Sequence, residues 1–311
     1  MIVISEFMSE RAVSEGLEDH RVLYDPTLVD RPDDLAEALR EATGLIVRNR
    51  TQVRGALLEA APLLKVVGRL GVGLDNIDLE ACEARGIAVY PASGANDVSV
   101  AEYVLATAMM LLRGAYFSTG EVAGGGWPRN RLTGREISGK LLGLVGYGSI
   151  ARETARRAVA LGMDVVAYDP FVPADAPVWT QAWGKVSPVS LEALLSTADV
   201  VSLHVPLTPK TRGMIGRDAL AAMKPGAIVI NAARGGVVDE AALVEALRAG
   251  KLGGAALDVF DAEPLTAETG ARFKEVPNLI LTPHIAGVTQ ESNERVSWLT
   301  VRNVARHLKE G

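Results

Sequence analysis

Short aliphatic runs alternate with stretches of helical spacing from one end of the chain to the other. In the first 90 residues the runs are MIVIS, HRVLYD, GLIVR, LKVVGRL and GIAVY. Between them, RPDDLAEALREA and VRGALLEAAP carry apolar residues at helical intervals, and the first has acidic residues in its opening turn. LEACEARG reads as a further helix. Such alternation predicts βα units and a mainly parallel sheet. One long helix is predicted over SVAEYVLATAMMLLRGAYFSTGEV, ending in the glycine-rich AGGGW. Its Met109, Met110, Leu111 and Leu112 make it apolar nearly all round, which suits a buried helix or one in a subunit interface.

A second alternating series runs from Leu141 to about Leu281: KLLGLVGYG, DVVAYD, DVVSLHV, AIVINAA, GAALDV and LILTPH. Six strands with intervening helices make a complete doubly wound domain. The closing SNERVSWLTVRNVARHLKEG is one helix, too little for a domain of its own, so it should pack back on an earlier one. The expected class is α/β with two doubly wound, parallel-sheet domains. Residues 1–98 and 285–311 would form one, discontinuous in sequence, and 99–284 the other, with a ligand cleft between them.

A chain of 311 residues exceeds one ordinary core, which agrees with two domains. Its 48% hydrophobic and 23% charged residues are those of a soluble globular protein. A net charge of −6 gives no global pull toward nucleic acid or anionic membrane, so local positive charge must hold any anionic ligand. The single cysteine, Cys82, cannot form an internal disulfide; it suits a reducing cytoplasm and reads as buried packing. The N-terminus is apolar for only four residues before turning acidic, which is an opening strand and not a signal peptide. No run approaches the ~18 apolar residues of a membrane span, and no metal site is expected.

Chemistry enters with GLVGYGSIARETARRAVALGMDVVAYDP. Gly146-x-Gly148-x-x-Ala151 follows a strand and opens a helix, and Asp169 ends the next strand eighteen residues after Ala151. Gly146 permits the tight turn, Gly148 lets backbone approach a pyrophosphate at the helix N-terminus, and Ala151 lets helix and strand pack closely. The bare glycine pattern is weak in a chain with 31 glycines; strand, helix and acid at the right distances give it weight. Asp169 should accept hydrogen bonds from a ribose diol and repel a 2′-phosphate. DPFVPAD offers no cation to reverse that, so NAD is expected over NADP.

Three further stretches, MKPGAIVINAARGGVVDEAALVEAL, GAALDVFDAEP and LILTPHIAG, follow LHVPLTPKTRGMIG. Together with the dinucleotide motif they resemble the D-isomer-specific 2-hydroxyacid dehydrogenase family over essentially the whole chain. VVGRLGVGLDNIDLEACEARGIAV points to the 3-phosphoglycerate dehydrogenase branch, in a short form without the regulatory extension. The resemblance implies a Rossmann NAD domain, a flavodoxin-like substrate domain, and hydride transfer between nicotinamide and C2 of a 2-hydroxy or 2-keto acid. That chemistry needs a group to move one proton, and histidine is suited to it. Of His20, His204, His284 and His307, only His284 follows a strand end in the family's position. Glu263 would hydrogen-bond its imidazole and favour the protonated form, and Arg234 would grip the substrate carboxylate and carbonyl oxygen through its fork. The resemblance also implies cofactor contacts from Ser149, Ile150, His204, Val205, Pro206, Ala232, Ala233, Asp258, His284 and Gly287, although His204 could merely pack. Asp258 would meet the nicotinamide carboxamide, and the backbone of Leu70, Gly71, Val72 and Gly73 the substrate carboxylate.

Arg48, Arg50 and Arg69 sit at strand ends of an acidic protein, which suggests a second anionic group on the substrate. In phosphoglycerate dehydrogenases the arginines matching Arg48 and Arg69 face the substrate, and basic residues near Arg129 and Arg131 can reach it from a partner subunit. A 3-phospho- or 3-sulfo-substituted acid is therefore expected; structural salt bridges are the alternative reading of these arginines. A general D-2-hydroxyacid dehydrogenase or glyoxylate/hydroxypyruvate reductase, formate or phosphite oxidation, and a non-enzymatic NAD-sensing corepressor stand as other functions. A homodimer packed through the helix near 100–112 is implied by the family.

Overall fold

The runs that lack polar alternation form strands, and those at the centre of each sheet are buried on both faces. In the computed structural model, which describes residues 1–310, the chain divides into two units. The first comprises Met1–Asn96 and the chain from Val288. Strands β1 (Ile2–Ile4), β2 (Val22–Tyr24), β3 (Gly44–Val47), β4 (Val66–Arg69) and β5 (Ala88–Pro91) form a parallel sheet in the order β2-β1-β3-β4-β5. This is the flavodoxin-like order. Successive side chains point to opposite faces. Val3, Leu45, Val47 and Val67 pack with Leu35, Leu39 and Ile77 on one side. Ile2, Ile4, Ile46 and Val66 pack on the other with Val296, Val301 and Val304 of the terminal helix Gln290–Glu310. That helix thus closes the unit whose first strand opens the chain. A short helix, Glu10–Gly16, is additional to the predicted elements; Ser9 caps it by accepting from Ala12 N, and Ser9 N donates to Ser297 Oγ at 3.0 Å.

The second unit is Asp97–Gly287. It holds β6 (Leu141–Val145), β7 (Asp164–Tyr168), a small hairpin of β8 (Thr180–Gln181) and β9 (Gly184–Lys185), then β10 (Ser187–Pro188), β11 (Val200–Leu203), β12 (Ile228–Asn231), β13 (Gly254–Leu257) and β14 (Leu279–Leu281). The main sheet is parallel, in the order β10-β7-β6-β11-β12-β13-β14, a Rossmann arrangement with a seventh strand. The six strands expected are present. In the main sheet the one missed is β10, two residues long and containing Pro188, which an edge position tolerates; the hairpin of β8 and β9 is likewise additional to the expected elements.

The single helix expected over 99–122 is broken. Asp97–Arg113 is helical, Gly114 takes φ +62°, and a 3₁₀ turn (Ala115–Ser118) and a short helix (Thr119–Ala123) follow. Val100, Val104, Leu105, Ala108, Leu111 and Leu112 pack under the sheet against Leu142, Leu144 and Ile228. Met109 lies outside that contact, with Tyr116, Phe117, Val122 and Trp127 also exposed. Among the described residues no single helix is long and apolar enough to cross a membrane.

The loops at the carboxyl ends of the strands are pinned by buried polar side chains. In the first unit, Glu6 just beyond β1 accepts from Arg48 N (2.8 Å) and Thr51 N (3.0 Å) on Oε1 and from Arg50 N (3.1 Å) on Oε2. Asn76 donates from Nδ2 to the carbonyls of Thr51 (2.7 Å) and Arg48 (3.3 Å) on the same loop. Glu6→Gln keeps the shape but sets an NH₂ group against a backbone N–H. It should destabilise the chain by about 1–3 kcal/mol, the cost of a buried donor left unpaired. Chemical denaturation measures this, and an unchanged midpoint would show that the loop does not depend on the carboxylate.

Candidate active site

The glycine-rich turn joins β6 to the helix Ser149–Ala160. Gly146 has φ +93°, and a Cβ there would lie 2.6 Å from the carbonyl oxygen of His204 beyond β11, so only glycine fits. At Gly148 a Cβ would meet nothing within 4 Å. The helix N-terminus therefore opens onto free space, where N–H groups could take a diphosphate. Ala151 is fully buried beneath the turn. Asp169 follows β7 and already works within the protein: Oδ2 accepts from Tyr147 N (2.8 Å) and Oδ1 from Phe171 N (2.9 Å). Each oxygen retains acceptor capacity, so a diol could still bind. The cradle fits a dinucleotide.

The other candidates of this unit also stand beyond strand ends. His204 N donates to Val145 O (2.7 Å), and its Nε2 lies 3.0 Å from Ser202 Oγ. Val205 and Pro206 continue that loop. Past β12, Asn231 makes a local turn: Ala233 N donates to its Oδ1 (3.1 Å), and its Nδ2 donates to Arg234 O (2.9 Å). This fixes Ala232, Ala233 and Arg234. Gly235 brings that loop against the next one, since a Cβ there would fall 1.8 Å from Phe260 O. Phe260 N in turn donates to Glu263 Oε1 at 2.9 Å.

Glu263 Oε2 lies 2.7 Å from His284 Nδ1. Burial raises the Glu263 pKa, but hydrogen bonds from His284 and Phe260 N, with the charges of His284 and Arg234, outweigh it and hold the carboxyl below its usual range. As an acceptor, the carboxylate puts a proton on Nδ1 and leaves Nε2 for exchange with a ligand. His284 is held with φ +53°, in the left-handed region that a non-glycine residue enters at a cost. Asp258, 1% exposed, surrounds it: its carboxylate accepts from Thr282 Oγ1 (2.6 Å), Ile285 N (2.8 Å) and Ala286 N (2.8 Å), and its carbonyl from His284 N (2.8 Å). Gly287 follows directly.

Arg234, Asp258, Glu263 and His284 thus form one group. Arg48, Arg69 and Leu70–Gly73 stand beyond β3 and β4 in the first unit. Arg48 is buried; its Cζ lies 3.9 Å from the centre of the Phe7 ring, and Nη2 donates to Asn293 Oδ1 at 2.5 Å. Burial pulls its pKa down to about 10, against the opposing charges of Glu6 and Tyr24. Its Nε is buried without a hydrogen-bond partner, and among the described residues no carboxylate is in ion-pair contact with the side chain. Arg50 differs, being exposed and paired with Asp30, as the salt-bridge reading has it. Arg69 Nη1 donates to Leu70 O at 3.1 Å and occupies the space a Gly71 Cβ would need. Leu70 is buried, while Val72 is exposed.

The profile of the D-isomer specific 2-hydroxyacid dehydrogenase, NAD binding domain, matches residues 105–286. The chain belongs to this family. It is an NAD-dependent dehydrogenase of the 2-hydroxyacid type. It is 57% identical over 311 residues to an (S)-sulfolactate dehydrogenase of Chromohalobacter salexigens, covering 99% of this chain and 98% of that one. It is 39% identical over 277 residues to a D-3-phosphoglycerate dehydrogenase of Methanocaldococcus jannaschii, covering 89% of this chain and 52% of that one. The structure of a D-lactate dehydrogenase from Aquifex aeolicus, complexed with NAD and lactic acid, superposes with a TM-score of 0.85 at 30% identity, covering 100% of this chain and 96% of that one.

Several supporting residues of this dehydrogenase escape a reading of the sequence: Glu6, Asn231, Thr282, and Glu240, which accepts from Asp261 N at 2.8 Å. Their shared signal is a polar residue close to an aliphatic run or, for Glu240, opening a helix. His204 adds a pH dependence. Burial pushes its pKa from 6.5 to about 4, so the folded chain keeps it neutral where an unfolded chain would bind a proton. The stability linked to it is complete above pH 6.5 and is lost as the pH falls toward 4, by about 3 kcal/mol. Thermal melts between about pH 7 and about pH 4.5 should fall more steeply for wild type than for His204→Gln. Parallel curves would refute the assignment.

Proposed function

We propose that the substrate is a D-configured 2-hydroxy acid with a second, sulfonate-type anionic group, oxidised at C2 to the 2-keto acid or formed from it. The observation that carries this reading is Arg48, a buried guanidinium with an unpaired Nε and no carboxylate partner. Even with the Glu6 charge nearby, a buried guanidinium whose Nε meets no acceptor is costly, and an anionic ligand accepting from it removes that cost. Planar, weakly hydrated guanidinium stacked on a ring suits a monoanionic, weakly hydrated sulfonate. The likeness to an (S)-sulfolactate dehydrogenase supports the same class. Its descriptor is consistent with a D-specific family, because sulfur ranks the CH₂SO₃ arm above the carboxylate and turns the D arrangement of lactate from R to S.

In this reading the first unit is the substrate domain, with Arg48, Arg69 and the Leu70–Gly73 backbone on the acid. NAD, when bound, supplies the hydride acceptor or donor. Gly146, Gly148, Ser149 and Ile150 would hold its diphosphate and Asp169 its ribose diol. His204, Val205, Pro206, Ala232, Ala233, Asp258 and Gly287 would enclose the rest. Arg234 orients the carboxylate and C2 oxygen. His284 takes the C2 hydroxyl proton on Nε2 during oxidation and returns it to the carbonyl oxygen during reduction. Glu263 stabilises the imidazolium in between. The chain would act in the cytoplasm as a homodimer joined through the segment that exposes Met109, Tyr116, Phe117, Val122 and Trp127.

Three variants test the reading. Arg48→Met should lower kcat/KM for sulfolactate about tenfold to a hundredfold, mainly through KM, because the tail keeps its charge during the reaction. Lactate and glycerate should change little, and equal efficiency for charged and neutral tails in wild type would sink the claim. His284→Ala should cost roughly 10²–10⁴ in turnover while NAD still binds. Glu263→Gln removes the anion beside the imidazole, so keto-acid reduction should fail at lower pH than in wild type. An unshifted profile would remove Glu263 from the mechanism.

A further inference from the structure

The left-handed turn at His284 depends on Asp258, and Asp258 is tied to something more distant. Thr282 has one hydroxyl proton, and the Asp258 carboxylate, 2.6 Å away, can only accept. Thr282 Oγ1 is also 2.7 Å from Tyr103 Oη. With the threonine proton committed to Asp258, the tyrosine must donate. The order of donation is therefore fixed along three side chains: Tyr103 into Thr282, Thr282 into Asp258. Tyr103 belongs to the helix Asp97–Arg113, whose other face is packed beneath the sheet.

We propose that Tyr103 is a positioning residue for the acid–base histidine, acting through Thr282 and Asp258 to hold the strained loop 282–286 against the buried helix. This inference rests on the reading of His284 as the proton-transfer group. Without the phenol, Thr282 Oγ1 loses its donor and can rotate away from Asp258. The carboxylate then keeps only the two backbone N–H groups of Ile285 and Ala286 on its side chain. The Tyr103 hydroxyl serves as a fixed donor and carries no proton in the reaction: burial pushes its pKa up to about 12. The inference concerns the imidazole's placement and leaves the cofactor cradle at Gly146 untouched.

The test is a set of variants assayed with NAD and a panel of 2-hydroxy acids, with melting temperature recorded for each. Tyr103→Phe keeps the ring and should lower kcat about tenfold, as a slightly misplaced catalytic group does. Thr282→Val should lower kcat at least as far, and Thr282→Ser should restore it by keeping the hydroxyl. In the Thr282→Val background, Tyr103→Phe should have no further effect on kcat, because the phenol acts only through that hydroxyl. Wild-type kcat in a folded Tyr103→Phe enzyme, additive losses in the double variant, or failure of Thr282→Ser to rescue would each overturn the proposal. His284→Ala in the same assay keeps the two readings apart. If it retains turnover, the role of His284 fails; if it collapses while Tyr103→Phe does not, only the positioning claim fails.

Discussion

A buried carboxylate that collects donors from one loop decides the geometry of the reactive group. Asp258 takes a hydroxyl and two backbone N–H groups on its side chain and a third N–H on its carbonyl, all from Thr282 to Ala286. Hydrogen bonds to a charged group contribute about 1.5–3 kcal/mol each, whereas a non-glycine residue in the left-handed region costs about 1–3 kcal/mol. Several such bonds outweigh the strain, so His284 stays where a free loop would release it. Glutamate repeats the arrangement in the other unit, where Glu6 gathers N–H groups from Arg48, Arg50 and Thr51. Asn231 pins its own loop with an amide, accepting from Ala233 N and donating to Arg234 O. Backbone donors suit this work because they have no rotamers to lose.

Charge is partitioned with equal economy. Arg48 and Arg50 are two residues apart on one loop, and both backbones bind Glu6. Their side chains part company: Arg50 meets Asp30 at the surface, while Arg48 turns inward over Phe7. A surface pair of that kind contributes little. The buried guanidinium is lowered in pKa by its surroundings yet still cationic at neutral pH. It is a small region of positive charge maintained inside a protein of net charge −6. Long-range attraction cannot deliver an anion here, so recognition has to come from contact.

The strands of both sheets were legible because each reads as an unbroken aliphatic run, and those at the centre are buried on both faces. β10 was not, because two residues at an edge bury too little to leave a pattern. The apolar stretch through Arg113 hid a break, since the hydrophobic pattern continues across Gly114 while the backbone turns there. In the second unit Gly146 takes a position closed to any side chain, and Glu263, singled out by the family resemblance, lies beside His284. What spacing cannot express is which polar residue turns inward. Thr282 in LILTPH and Glu6 after MIVIS look like ordinary strand ends, and Arg48 and Arg50 look alike. Only the packing of Phe7 and Asn293 around one of them separates the two.

The terminal helix Gln290–Glu310 covers one face of the sheet that begins with Ile2. Translation makes β1 to β5 first and their cover last, with the whole second unit synthesised in between. On the ribosome, Ile2, Ile4, Ile46 and Val66 therefore lack their final partners until Val296, Val301 and Val304 emerge. The second unit, encoded without interruption, needs nothing made after it to fill its own core. The order of completion inverts the order of synthesis: the unit begun first is finished last, and its half-covered sheet is the surface a chaperone would meet.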